Sequence, residues 1–342
     1  RVRSSAASDV YKRQMRVGVS NGGLIQAVDS RTVFNAGAYG GFTPAAAAGI
    51  VPGTSYRFPS ACFEILRVYT NEVPTGNMRA PGAPQTTFAM EAMMDFVAHG
   101  IGLDPFEFRR RNLLQTGEPN VNGNIWPEQR GIETLDLAQR AAKQDFPSGL
   151  APNIRVGRGV ALYDRPTHAP AATSQRLRLL PGGDVEAEVG VQETGTGSHT
   201  MFQRVLASAL GLERERVAIR YVGTAHLPTD MGVGGQRVTV SGVQGSVSAA
   251  AAFLKEVARE AAALLGVPAE QVEVKPGGVL VASNGRQITF AELAARGVTA
   301  ETLCEVPETP AHDAGATNYC VQVAQVGVDV ETGQVFVYDF VS

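Results

Sequence analysis

Residues 61–97 read ACFEILRVYTNEVPTGNMRAPGAPQTTFAMEAMMDFV. A strand-like run, 61–73, gives way to a glycine- and proline-rich loop, Thr75–Gln85. Beyond the loop, Met90, Met93, Met94 and Val97 recur at i, i+3, i+4 and i+7. That spacing puts four apolar side chains on one face of a helix. Pro84 suits the first turn, where a missing N–H costs nothing. The stretch is strand, glycine turn, helix, and its Met stripe fills a core.

The same order recurs twice further on. A strand signal at 184–192 leads through ETGTGSHT (193–200) into a helix striped by Phe202, Val205, Leu206, Ala209 and Leu210. A second, RVAIRYV (216–222), leads through GTAHLPTDMGVGGQRVT (223–239) into a long helix from about Gly242 to Leu265. Hairpin signals surround these units: alternating runs about Asn21-Gly22, Pro181-Gly182-Gly183, and a final pair, 320–330 and 334–340, about Glu331-Thr332-Gly333. Asp104-Pro105-Phe106-Glu107 opens a short helix with a cap, a proline and a capping-box glutamate. On that helix Arg109, Arg110 and Arg111 form a solvated face, or else meet an acidic partner surface or internal ion pairs. The pattern predicts an α+β fold: two lobes of mixed β-sheet with packed helices, over 15–150 and 151–342, with the connector at 144–157. The second lobe is expected to be truncated.

Composition narrows the function. The 342 residues carry 30 Lys+Arg against 33 Asp+Glu, a net charge of -3, with 44% hydrophobic and 18% charged residues. That balance is globular and excludes a largely disordered chain. It lacks the basic excess of a nucleic-acid binder. No run approaches the ~18 apolar residues of a membrane span. Cys62, Cys304 and Cys320 share no CxxC spacing and read as buried small hydrophobes in a reducing compartment. The first fourteen residues are polar and non-periodic, and SSAASDVYKRQ looks like translated adapter sequence; Arg1–Gln14 is set aside as non-native. The last strand pattern stops without a cap, so the chain reads as a fragment cut at both ends.

Chemistry points to the three glycine turns, Thr75–Gln85, Glu193–Thr200 and Gly232–Thr239. A strand-to-helix glycine turn aims backbone N–H groups and the positive end of the helix dipole at a ligand, which suits an anionic, phosphate-bearing group. Three such turns, each with polar side chains, suit one large cofactor. None is a Walker A loop or a Rossmann fingerprint, no GxSxG anchors a serine triad, and His199 and His226 lack metal-ligand spacing.

These residues carry a resemblance. GAYGGF (37–42), the motif RAPGAPQ within 69–95, LDPFEFRRRNLL (103–114), ETGTGSHT and PTDMGVGGQRVTVSG (228–242) are similar in order and spacing to landmarks of the molybdopterin-binding large subunit of the xanthine dehydrogenase/aldehyde oxidase family. The resemblance implies a molybdenum–molybdopterin cofactor, as such or as the cytosine dinucleotide, held through its dithiolene and not by direct protein ligands to the metal. It implies cofactor contacts from Arg79, Gly82 and Gln85; from Gly195, Thr196, Gly197 and Thr200; and from Gly234, Gly235, Gln236 and Arg237. Pro81, Thr167 and His168 would line the substrate pocket. Thr196, Arg204 and Gln236 depart from the family's usual Gln, Gln and Ser, and Ala80 stands where the copper-containing carbon monoxide dehydrogenases show Cys.

As a whole, such a subunit hydroxylates an aldehyde or an N-heterocyclic or aromatic substrate, with water as oxygen source. Its general-base glutamate would lie beyond the C-terminal end of this chain, which alone should be inactive. Glu193 and Glu91 are set aside as substitutes, because capping and helix packing explain them. Implied partners are the small-molecule substrate, an iron–sulfur subunit and an FAD subunit in a dimer of heterotrimers, with no nucleic acid and no membrane span. The location implied is cytoplasmic, with a periplasmic form as the alternative. The rival reading is a non-catalytic scaffold of the same fold that has lost the cofactor.

Overall fold

Alternation about Asn21-Gly22 folds as its pattern requires: β1 (Val10–Val19) and β2 (Ile25–Gly37) pair antiparallel, and β2 pairs parallel with β3 (Ser60–Tyr69). The computed structural model describes residues 10–39, 55–74, 76, 80, 82–166, 171–230, 232–307 and 317–342. Because β1 begins at Val10, residues Val10–Gln14 of the segment set aside on composition continue the strand, opposite Phe34 to Arg31. Backbone pairing extends a hairpin without an apolar pattern, so composition gave no sign of it.

Along the chain follow α1 (Ala83–Gly100), α2 (Pro105–Asn112), α3 (Gly131–Ala141) and β4 (Ile154–Pro166). Next come β5 (Thr173–Leu179), β6 (Val185–Val189), α4 (Ser198–Leu210), β7 (Val217–Tyr221) and the 29-residue α5 (Arg237–Leu265). The chain closes with β8 (Val272–Lys275), β9 (Val279–Ala282), β10 (Gln287–Thr289), α6 (Phe290–Ala295), β11 (Glu301–Val306), β12 (Thr317–Asp329) and β13 (Val335–Val341).

These elements form two compact units, residues 1–166 with 315–342, and residues 167–314. The division differs from a boundary at 150. β4 belongs to the first unit because β12 pairs with it from Thr317↔Pro166 to Asp329↔Ile154, in the sheet β13-β12-β4. That pairing joins strands far apart in sequence and leaves no local signature.

In the first unit, α1 buries Met90 and Met94 fully, with Met93 and Val97 partly packed on the same core. Arg109 of α2 is buried too, while Arg110 is half-buried and Arg111 exposed; all three make ion pairs within the unit. Arg109 Nε donates to Glu91 Oε2 (2.9 Å) and its Nη1 to Asp95 Oδ1 (2.6 Å). Arg110 pairs with Glu107 and Asp136, and Arg111 with Glu107. Arg109 Nη2 also donates to the Val160 carbonyl (2.8 Å), while Glu91 Oε2 accepts from the Leu162 N–H (2.9 Å). The two helix side chains thus satisfy the outward backbone groups of β4, as a further strand would. Burial opposes the charge on Arg109, and the Glu91 and Asp95 carboxylates outweigh it, holding the guanidinium more firmly protonated than usual. Removing one partner of such a buried pair costs about 3–5 kcal/mol.

The second unit packs α4 and α5 against the four-stranded sheet β11-β5-β6-β7. Leu177, Val185, Ala187 and Val217 of the sheet meet Leu206 and Leu210 of α4 and Ala249, Phe253, Val257 and Ala261 of α5. α4 and α5 approach closely at Gly242, where an added Cβ would lie 2.6 Å from the Phe202 ring. α6 starts with the expected Thr289–Glu292 capping box. The cysteines differ from expectation: Cys62 and Cys320 are exposed, and Cys304 is half-buried.

Candidate functional site

β6 and β7 are neighbours and parallel, in register from Val185↔Val217 to Val189↔Tyr221. Their C-terminal ends therefore leave the sheet on the same edge, and the Val222 N–H still donates to the Val189 carbonyl there (3.0 Å). The chain after β6 makes the 193–197 bend and enters α4; the chain after β7 makes the 232–236 bend and enters α5. Both bends lie where open sheets bind ligands, outside the carboxyl ends of parallel strands. Phe202 and Gly242, which touch, sit four and five residues into their helices, so each helix start is within about 6–8 Å of the contact along its axis. Two of the three glycine turns come together.

The first bend is closed by its own glutamate. Glu193 Oε1 accepts from the N–H groups of Gly195 (2.8 Å) and Gly197 (3.0 Å), and Oε2 from the His199 N–H (3.0 Å) and the Ser198 hydroxyl (3.0 Å). Chiefly the His199 N–H, helped by the other donors, pulls this carboxyl down to about 2. His199 Nε2 bonds the Val191 carbonyl (2.8 Å) and ties the bend to the end of β6. Gly195 and Gly197 have φ of 86° and 76°, which only glycine adopts freely, and Cβ atoms built on them would meet nothing within 4 Å. Thr196 and Thr200 are exposed.

The second bend has a different lock. Asp230 Oδ1 accepts from the Gly232 N–H (2.7 Å), and Arg237 folds back so that its Nε donates to the Gly234 carbonyl (2.9 Å). Among the described residues no side chain caps α5, whose N-cap Gln236 is left-handed at φ 62°. A non-glycine residue there is strained. The other such residue among those described is Ala80, φ 52°, in the turn before α1. Beside the second bend lies a depression of ≈ 10 Å³ lined by Val191, Asp230, Gly232, Arg237 and Val238. That is room for one water.

The third turn belongs to the first unit. Gly82 is the N-cap of α1 and Gln85 lies in its first turn; Arg79 and Pro81, like Thr167 and His168, lie outside the described residues. A cleft of ≈ 350 Å³ opens beside this turn, between Ala80, Ala83 and Phe88, Leu162 and Tyr163 of β4, and Gln322 of β12. Its size is that of a small-molecule site. The sequence pattern does not single out Tyr163, Gln322 or Asp230. Only Asp230 carries a local signal, a side chain two residues before a turn glycine.

These features define a class: α+β units whose strand-to-helix turns are glycine bends. Two models of the molybdopterin cofactor-binding domain match the chain, over residues 2–113 and 130–342. The chain belongs to that family, and its cofactor is molybdenum–molybdopterin. The xanthine dehydrogenase molybdenum-binding subunit of Escherichia coli O157:H7 is 27% identical over 281 residues, 78% of this chain and 37% of the relative. The aldehyde oxidoreductase molybdenum-binding subunit PaoC of Escherichia coli (strain K12) is 31% identical over 278 residues, 79% of this chain and 36% of the relative. Among solved structures, quinoline 2-oxidoreductase from Pseudomonas putida 86 superposes with a TM-score of 0.74 at 21% identity, covering 96% of this chain and 46% of that one. The chain spans less than half the length of these relatives.

The residues fit such a cofactor: Gly195, Gly197 and Gly232 face open space, with nothing within 4 Å of a Cβ built on any of them, which leaves room for a flat ring system against the backbone.

Proposed function

We propose that this chain is the cofactor-cradling part of a molybdenum hydroxylase subunit, and that the intact subunit oxidatively hydroxylates an aldehyde or an N-heterocyclic or aromatic substrate, with oxygen from water. The observation that supports this most is that family matches fall on both units while the relatives carry molybdenum-binding names. When bound, the cofactor supplies oxygen transfer and two-electron redox chemistry. In this reading Gly195, Thr196, Gly197 and Thr200 face the pterin from one bend, and Gly234, Gly235, Gln236 and Arg237 from the other. The reading also assigns Arg79, Gly82 and Gln85 to the cofactor, and Pro81, Thr167 and His168 to the substrate.

Neither Glu193 nor Glu91 is placed to act as general base. Glu193 is engaged by four donors, and Glu91 is buried against Arg109, Tyr56 and the Leu162 N–H. In this reading the general base is supplied by a part of the subunit outside this chain. Electrons would leave through an iron–sulfur subunit and an FAD subunit, in keeping with relatives that are named as subunits. Among the described residues no helix is long and apolar enough to cross a membrane. The family match weighs against a scaffold that has lost the cofactor.

The test is turnover by the full-length subunit with its partners, on a panel of aldehydes and N-heterocycles in ¹⁸O-labelled water. Hydroxylated product carrying ¹⁸O supports the reading. A complex fully loaded with molybdenum that turns over none of them would overturn it.

A further inference from the structure

Four donors converge on one carboxylate in the bend before α4. Three are backbone N–H groups, of Gly195, Gly197 and His199, and the fourth is the Ser198 hydroxyl, all at 2.8–3.0 Å. A nest of this kind at the start of a helix is how proteins bind phosphate. Here the anion comes from within the chain, four residues before the N-cap Gly197.

We infer that Glu193 is a positioning residue for the cofactor: it holds the place in this bend that a ligand's phosphate would otherwise take, and it fixes Gly195-Thr196-Gly197 as a rigid wall for the pterin. With the Gly195 and Gly197 amides turned inward to the carboxylate, what the bend offers outward is the bare α-carbon faces of two glycines and the exposed Thr196. The His199–Val191 bond pins the far end of the same buckle to β6. A phosphate arriving at these amides would meet a negative charge already seated on them, so the cofactor's phosphate is held elsewhere. The sequence expectation that every glycine turn aims free amides at phosphate is thereby narrowed: this turn supplies shape, not anion binding.

The inference rests on the reading that Gly195–Gly197 face the cofactor, and the experiment separates the two. Full-length subunit in its complex is purified as wild type, Glu193→Ala and Glu193→Gln. Molybdenum and oxidised-pterin fluorescence are measured per subunit, with melting temperature alongside. Both variants should lose cofactor by about tenfold or more, the scale seen when a group orienting a ligand from behind is removed. Added acetate, but not chloride at equal ionic strength, should refill the empty nest in Glu193→Ala and restore much of the content. Glu193→Gln, which keeps the volume without the charge, should not respond.

If Glu193→Ala keeps wild-type content the inference is wrong, and if it gains cofactor the inference is wrong because the freed bend binds the phosphate. Loss without acetate recovery would reduce Glu193 to a general stabiliser and overturn it equally. Should Glu193→Ala not be recovered folded, wild-type cofactor content in Glu193→Gln overturns the inference by itself. A wild-type complex without pterin would instead defeat the reading of the bend as a cofactor wall.

Discussion

The bend before α4 and the bend before α5 leave the same sheet edge, use the same glycine-rich composition and start helices that touch at Phe202 and Gly242. They are finished differently. In the first, glycine takes every left-handed position and a glutamate fills the amide nest. In the second, Gln236 takes a left-handed position at a cost in strain, and among the described residues no side chain caps the helix. The contrast teaches that two turns alike in glycine content can be closed by different groups, which the sequence pattern alone does not tell apart. One turn seats a carboxylate on its own amides; the other closes on backbone carbonyls, with the Arg237 N–H and Nε both bonded to the Gly234 carbonyl and Gln236 left-handed.

The contact that ties the bends together gives the largest expected effects. Phe202 is buried against Gly242, so Phe202→Ala should destabilise the second unit by about 3–5 kcal/mol, read by denaturant unfolding. Gly242→Ala drives a Cβ to 2.6 Å from that ring. Overpacking of this kind costs about 1–3 kcal/mol. If the bends work as one site, the variant should also lose cofactor while the unit remains folded.

Next in size is the strain itself. Gln236→Gly should raise stability by about 1 kcal/mol by relieving the left-handed backbone, yet lower cofactor retention, because the side chain goes too. A variant with unchanged stability and retention would remove the difference between the bends.

The smallest effect is in pH. The Glu193 carboxyl is drawn from an ordinary 4.5 to about 2, first by the His199 N–H. It ionises more readily folded than unfolded, so what it contributes is present above about pH 4.5 and declines as the pH falls towards 2. Amide protection at Gly195, Gly197 and His199 should therefore hold to about pH 3. Loss of protection near pH 4–5 would mean that the nest does not grip its carboxylate.

The sequence made some of this legible and hid the rest for physical reasons. The helical stripes on α1, α4 and α5 and the hairpin turns are local, and they fold as their spacing predicts. The pairing of β4 with β12 is non-local, so the division of the chain could not be read at residue 150. Burial of Arg109 was equally hidden, since three consecutive arginines look solvated until Glu91, Asp95 and the edge of β4 are brought to one of them. The turns before α4 and α5 are visible as turns through their glycine spacing. Their convergence needed the parallel register of β6 and β7, which no residue pattern states.

The central claim is that both bends of the second unit hold one pyranopterin, and a double-mutant cycle on its release tests it most directly. Thr196→Ala, Gln236→Ala and the double variant are compared by the rate at which molybdopterin leaves the purified full-length complex. The account predicts faster release in each single variant and a non-additive double, since both side chains touch the same ligand. Wild-type release from both single variants would contradict it.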